Sequence, residues 1–540
     1  FFVRLDATHE NAGNSYDAVV TAFLRENNNR PLGDEVNSWN NRYFNYWSTN
    51  IIGSGTGRPY QSIPDFPNFY QTGGGVDNYN IDLANSLLQG NYDSLLVWHQ
   101  LARDFANNGD GAGYFPYFAP GTYEFDTAFA GITSRPLGQG GSRFIDRSAL
   151  YHTDVGYQFH LPQWLPDGEV QGFKRFLKSA SRFVSSLNWN VGGSFRLYAP
   201  NSEGTIFIDT GNVRITNWQA GGYIGVEKRY EEVKINLTAR ADKNENFDLL
   251  FSPAASVVYS PNRNHTVRFS ASWGIRNPTL ADQFLNYDVG RARLVGNLTG
   301  FDSLITVDQF NEYLGDLDLT QLDYFSVDPV RPEQVRTVEV GYRGTWWDKI
   351  YIDGSAYFSW YTDFIGYVLG VDLVTDPLGF PTNQTQAYRV ATNSKDLVVT
   401  YGASVQASYY LGKYYTLSGN YSWNVLDRLG STDPLIPAFN TPEHKFNIGF
   451  EGRDIQMKLG KLRLNNWGFN VNFKWIEGFL FEGSPQFTGE IPSYYMLDAQ
   501  LNYTYPKWHT TFKVGAQNLT DNRVFQVYGG PRIGRLAYIS

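Results

Sequence analysis

Apolar and polar side chains alternate with period two along most of this chain, and this restricts the fold more than any other feature. Over residues 467–475, Trp467, Phe469, Val471, Phe473 and Trp475 share one parity, while Gly468, Asn470, Asn472 and Lys474 share the other. Successive side chains of a strand point to opposite faces, so the segment reads as a strand with one apolar and one polar face. The pattern returns over 417–425, 350–360, 267–273 and 497–503. Two architectures produce it. A soluble sandwich packs its apolar faces together. A transmembrane barrel turns them to lipid and lines its lumen with the polar faces. Segment lengths of about ten residues fit a tilted spanning strand. Trp and Tyr gather near the ends of the apolar stripes, where an interfacial girdle belongs.

Connection lengths separate the two architectures. From residue 217 onward, short links (230–231, 260–264, 346–349, 411–414, 505–508) alternate with long ones (275–332, 364–391, 426–443, 478–492). Outer-membrane barrels place short turns on the periplasmic side and long loops outside, whereas a sandwich has no reason to sort loops by parity. Two links depart from the rule: 241–247 is short for its class and 452–466 is long. The count reaches about 16 strands, the last near 532–540. The expected fold is therefore all-β, an antiparallel transmembrane β-barrel.

Composition closes other routes. The chain has 540 residues, a hydrophobic fraction of 42%, 53 Gly and 16% aromatics, with a mean hydropathy of -0.38. No apolar run approaches the ~18 residues of a spanning helix. The formal charge of -9 and the lack of a basic block argue against nucleic acid as a partner. With no Cys there are no disulfides or thiol nucleophiles. The opening Phe1-Phe2-Val3-Arg4 is not a signal peptide and reads as the inside of a longer protein.

Residues 10–141 break the rhythm. Helices are expected over 17–26, 36–50 and 92–107, punctuated by Gly73-Gly74-Gly75 and by Gly and Pro near 120 and 138–141. The expected organisation is a barrel strand at 1–9, a partly helical extracellular insertion at 10–141, and strands and loops of the barrel over 142–540. Residues 161–180 are expected to be a long periplasmic connection.

Three motifs carry a resemblance. Trp273-Gly-Ile-Arg-Asn-Pro-Thr-Leu-Ala-Asp-Gln-Phe284 resembles the strand-to-loop element of TonB-dependent outer-membrane transporters. Arg331-Pro-Glu-Gln-Val-Arg-Thr-Val-Glu-Val-Gly-Tyr-Arg343 is similar to that family's next strand. Val514-Gly-Ala-Gln-Asn-Leu-Thr-Asp521 is similar to the element before its final strand. Glu10-Asn-Ala-Gly-Asn-Ser-Tyr16 and Asp146-Arg-Ser-Ala-Leu-Tyr151 resemble a SusC-like subfamily with large loops. The resemblance implies a barrel of about 22 strands plugged by an N-terminal domain, so that about six strands and the plug would lie upstream of this chain. It also implies a Gram-negative outer membrane, with lipid and lipopolysaccharide around the barrel. The partners it implies are a TonB-type energy-transducing protein and, in some subfamilies, a surface lipoprotein lid. The function implied is import of a bulky nutrient: an oligosaccharide, a peptide or a metal chelate.

Candidate contacts for such a substrate fall in two groups. Tyr43 and Trp47 share a predicted helix with Phe44 and Tyr46, and Tyr114 and Tyr117 cluster with Phe115 and Phe118. Exposed aromatics stack on sugar rings and cover peptide side chains, although the same residues also suit the insertion's own core. On the expected lumen face stand Arg268, Asp353, Tyr357, Asn420 and Lys474. They are placed to touch a substrate or a plug, or are polar only because a lumen is wet. No enzyme is expected, because zinc-hydrolase, nucleophile-elbow and P-loop motifs are all missing. The acidic residues Asp316, Asp318 and Asp323 lack the glycine and terminal glutamate of an EF-hand loop, so no metal or cofactor is expected. The alternatives are a passive outer-membrane porin and a barrel-anchored adhesin or secretion partner.

Overall fold

The computed structural model describes residues 2–9, 12–14, 39–52, 92–108, 122–136, 139, 141–164, 173–288, 292–382, 384–428, 433–459, 462–483, 488–528, 530 and 532–540. Two compact units emerge, one formed by 1–8, 150–199 and 216–540 and the other by 9–149 and 200–215.

The first unit is built on one sheet of 16 strands. In sheet order its first eight strands are β1 (Phe2–His9), β2 (Ala149–His160), β3 (Asn188–Ala199), β4 (Asn217–Arg229), β5 (Val233–Asn244), β6 (Leu250–Asn262), β7 (His265–Arg276) and β8 (Glu333–Trp346). They are followed by β9 (Ile350–Thr362), β10 (Val398–Leu411), β11 (Tyr415–Asp427), β12 (His444–Leu459), β13 (Leu462–Ile476), β14 (Tyr494–Tyr505), β15 (Thr510–Gln517) and β16 (Leu536–Ile539). Each strand bonds to its predecessor and its successor, so the order is an up-and-down meander, as a barrel requires.

The register decides which face each side chain takes. Gly354, Val405, Tyr421, Phe446, Trp475 and Tyr495 stand opposite one another across β9 to β14, forming one row of the apolar face. Among the described residues no second layer covers this face: Val405 is 44% exposed, Phe269 51% and Ile448 51%. A sandwich would bury those residues. On a spanning sheet they are the lipid contact, and the exposed aromatics Tyr259, Trp346, Tyr409 and Phe512 lie at the turn ends of their strands.

Short turns alternate with long loops. Trp347 and Asp348 both take left-handed backbone (φ 50° and 53°), and Lys349 N–H donates to Trp346 C=O at 3.0 Å. Two positive φ values at the centre of a two-residue hairpin match the right-handed strand twist.

The long-looking link at 452–466 is not a link. β12 and β13 continue through it, with Ile455 opposite Trp467 and Leu459 opposite Leu462. A bulge at Gly452 to Ile455, with Asp454 at φ 50°, shifts the register and interrupts the alternation that sequence reading relies on. The last strand also begins later than expected. Arg532–Ile533 pairs with Val524–Phe525 inside the loop, and only Leu536–Ile539 joins the main sheet.

The long links of this unit fold onto one another. Asn286–Asp288, Arg293–Val295, Gln386–Asn393 and Ile365–Asp372 form a four-stranded sheet. Within it, Arg293–Val295 runs parallel to Gln386–Asn393. Val295, Leu304, Val327, Val368 and Val390 form its core, with Phe301, Phe325 and Tyr388 packed against it. Asn297 is 1% exposed. Its Nδ2 donates to the carbonyls of Asp328 (2.7 Å) and Ala391 (2.9 Å), and its Oδ1 accepts from Gly300 N–H (2.8 Å).

In the second unit, α1 (Trp39–Tyr46) runs into a π turn at Trp47–Ile52 and packs on α2 (Tyr92–Asn108) through Ile51, Leu95 and Trp98. A third helix, α3 (Tyr123–Ser134), is N-capped by Thr122, whose hydroxyl accepts from Phe125 N–H at 3.2 Å. The helix expected over 17–26 lies outside the described residues.

Candidate functional site

The register of the main sheet gathers the polar residues singled out from sequence. Asp353 stands opposite Arg343 and Gln406, Gln406 opposite Asn420, Asn420 opposite Asn447, and Asn447 opposite Lys474. Directly opposed residues share a face, so Asp353, Asn420 and Lys474 occupy a single cross-strand row on the polar side. Arg268 lies opposite Gly341 and reaches across to the same row. Its Nη2 is 3.3 Å from Asp353 Oδ1, and its Nε is 3.9 Å from Glu339 Oε1. A Cβ at Gly341 would collide with Arg268 Nε, so the glycine leaves the path that the guanidinium takes. Tyr357, four residues from Asp353 on β9 and on the same face, donates to Asn424 Oδ1 at 3.1 Å. Asn447 Nδ2 donates to Asn420 Oδ1 at 2.7 Å. The row carries both charge signs and half-exposed donors and acceptors, which suits a wet interior.

A second constellation escaped sequence reading, and it lies among the folded long loops. Ile365–Asp372 and Gln386–Asn393 are antiparallel, with Tyr367 opposite Ala391. Arg389 is therefore the diagonal neighbour of Tyr367 on the same face, and its guanidinium sits 3.5 Å above the ring. Tyr367 OH is 3.5 Å from Asp282 Oδ1. Asp282 in turn caps the short helix Leu280–Phe284, accepting from Thr279 N–H at 2.8 Å. Arg389 Nε is buried without a hydrogen-bond partner among the described residues. Burial pulls the Arg389 pKa below the ordinary guanidinium range, against the pull of Tyr367, Asp282 and Glu482. Burial likewise raises the Glu482 carboxyl, opposed by backbone hydrogen bonds and by Arg428 and Arg389. Such a group holds an unsatisfied N–H donor on a desolvated cation, and it suits a hydrogen-bond-accepting or anionic ligand. Asp282, the Tyr367–Arg389 pair and Glu482 come from three separate loops, so no spacing in the sequence announces them.

The aromatic candidates fare differently. Tyr43 stacks on Trp39 (5.2 Å between centroids) and on His99 (6.1 Å), and its hydroxyl bonds to His99 Nδ1. Trp47 stacks on His99 at 4.5 Å and packs against the small core of Ile51, Leu95 and Trp98. Both thus join α1 to α2. Tyr114 and Tyr117 lie outside the described residues. Burial lowers the His99 pKa from its ordinary 6.5. The unfolded chain then binds the proton more readily than the folded one, so stability is full above about pH 6.5 and falls as pH drops below it. The protection of α2 amides, corrected for the slower intrinsic exchange at low pH, is expected to fall on acidification from pH 7 to 5, and His99→Gln is expected to flatten that dependence.

Among the described residues no group of three His, Asp or Glu is arranged to hold a metal ion. Asp318 instead caps the turn at Leu319–Gln321, accepting from Thr320 N–H at 2.9 Å and from Thr320 Oγ1 at 2.7 Å. Those bonds hold its carboxyl below the usual carboxylate range.

The family model described as "TonB dependent receptor-like, beta-barrel" matches residues 15–519. An iron-regulated outer membrane virulence protein of Vibrio cholerae serotype O1 is 23% identical over 330 residues, covering 59% of this chain and 44% of that protein. The chain thus spans less than half the length of the curated relatives it matches. A point mutant of the ferric enterobactin receptor of Pseudomonas aeruginosa, solved in complex with enterobactin, superposes with a TM-score of 0.50 at 11% identity, over 75% of this chain and 55% of that one. A siderophore receptor of Acinetobacter baumannii gives a TM-score of 0.49 at 13% identity, over 74% and 56%.

Proposed function

The chain belongs to the TonB-dependent receptor-like β-barrel family, and on that premise we propose that it is the membrane-spanning part of an active importer that brings a bulky nutrient into the periplasm. The observation that supports this reading is the two-faced sheet, with exposed apolar rows on one side and a charged, hydrogen-bonding row on the other. The outer membrane holds no ATP or ion gradient, so uphill uptake calls for a TonB-type protein coupled to the inner membrane. Of the three nutrient classes, a metal chelate is favoured. The Vibrio relative is iron-regulated and the Pseudomonas receptor holds enterobactin. Arg389 in the loop sheet suits an anionic chelate. Residues 10–141 are proposed as the extracellular insertion, a candidate for substrate capture or for docking a lipoprotein lid.

A deletion strain complemented with the full-length protein is expected to regain uptake of a radiolabelled ferric catecholate and to lose it when the proton-motive force is collapsed. Uptake that survives the collapse would make the barrel a passive channel and sink the importer reading. Preference for a fluorescent oligosaccharide would reassign the substrate. Arg389→Gln is expected to weaken chelate binding to intact cells by about tenfold, the loss of one charge-assisted hydrogen bond, with the amount of inserted protein unchanged.

A further inference from the structure

At the short-turn end of the sheet, the connection between β2 and β3 contains a helix, α4 (Phe173–Ser185). Its sequence FKRFLKSASRFVS is strongly two-sided. Phe173, Phe176, Leu177, Ala180, Phe183 and Val184 recur at the helical period and form one stripe. Lys174, Arg175, Lys178 and Arg182 fall on the opposite side, and the helix has no acidic residue. In a helix packed on a core the stripe would be buried. Here Phe173 is 74% exposed, Phe176 66% and Phe183 54%.

The helix borders the lipid-facing surface. Trp189 is on the apolar side of β3, stacked on Phe159 of β2 at 6.5 Å, and its Nε1 donates to Val184 C=O at 3.4 Å. On β4, Val226 stands opposite Trp189, so Lys228, two residues on, shares that outward face at the rim. Lys228 Nζ lies 5.9 Å from the Phe183 ring and 5.5 Å from the Tyr230 ring, and it also donates to Ser186 Oγ. Phe183 therefore borders the apolar surface of the strands, at the level where an aromatic girdle meets head groups, and Phe176 and Phe173 carry its stripe onward along the helix, their rings stacked at 6.1 Å.

We propose that α4 lies in the plane of the inner leaflet of the outer membrane, with Phe173, Phe176 and Phe183 among the acyl chains and its basic side against anionic phospholipid head groups. An amphipathic helix with aromatics on one side and Lys and Arg on the other has the composition of an interfacial anchor. It would fix the depth of this end of the barrel in the bilayer.

These 540 residues contain no Cys, so a single one introduced into α4 reports its position once any Cys elsewhere in the full-length protein has been replaced by Ser. Phe176→Cys and Arg175→Cys, each labelled with an environment-sensitive fluorophore, would be compared in the full-length protein folded into phosphatidylethanolamine and phosphatidylglycerol vesicles. Lipid-borne quenchers are expected to place the label at 176 roughly 5–10 Å below the head groups. The label at 175 should stay open to aqueous iodide. Phe183→Cys supplies a second position, read in the same way, should one label perturb the helix. Equal iodide access at 175, 176 and 183 would overturn the proposal. So would protection at 176 and 183 without lipid quenching, since the stripe would then be covered by protein.

Discussion

Replacing Val405 by arginine is expected to cost about 2–4 kcal/mol of barrel stability, the penalty for a charge near the middle of a lipid-facing strand. The same replacement at the adjacent Ser404 is expected to cost no more than about 0.5 kcal/mol. The two residues are consecutive on β10 and point to opposite faces. Val405 stands opposite Gly354 and Tyr421 in the apolar row, while Ser404 stands opposite Ser355 and Ser422 on the polar side. Both are exposed, so neither change opens a cavity. Only the medium differs between them. Denaturant titration of the full-length protein in phospholipid vesicles reads the difference directly. Equal penalties would mean that lipid does not cover the apolar rows, and the membrane reading would fall.

The second large effect is expected at Asn297. Its side chain makes three hydrogen bonds, to the carbonyls of Asp328 and Ala391 and from the amide of Gly300. Asn297→Ala leaves all three partners unmet in a site closed to water. At roughly 1–3 kcal/mol each, partly relieved by relaxation, the loss is about 3–6 kcal/mol. Asn297→Asp keeps the acceptor but sets a carboxylate oxygen against two carbonyls, so it should be at least as damaging. The damage should be local. Hydrogen exchange is expected to speed up across Ile365–Asp372 and Gln386–Asn393 while β8 to β10 stay protected. Unchanged exchange in the loop sheet would show that Asn297 does not hold it. The Asn297-Leu-Thr triplet has the form of a glycosylation site, but its side chain is committed to the interior.

Much of the main sheet was legible because a strand's period is enforced at every residue. The alternation around Tyr421 and Trp475 survives without knowledge of any partner, and the parity of link lengths locates the turns even at Trp347-Asp348, a pair without the glycine that favours such a turn. Reading failed where that period breaks for local reasons. The bulge at Gly452 to Ile455 made continuous strands look like a connection. In 161–180 the helical recurrence of Phe173, Phe176 and Ala180 is present in the residues, but it spans too few turns within a connection to stand out against the strand period around it. The Arg389–Tyr367 stack was out of reach for a different reason. Its geometry is set by a strand pairing between loop residues and by packing against Asp282, more than a hundred positions away from Arg389. For the lumen residues, the row joining Asp353, Asn420 and Lys474 depends on inter-strand register, which no single strand encodes.

The parallel contact between Arg293–Val295 and Gln386–Asn393 has a mechanical corollary. One partner belongs to the excursion after β7 and the other to the excursion after β9, so the two are riveted by backbone bonds. Neither can swing aside alone. Any gating at this end must shift both as a single plate, hinged at the tops of four barrel staves.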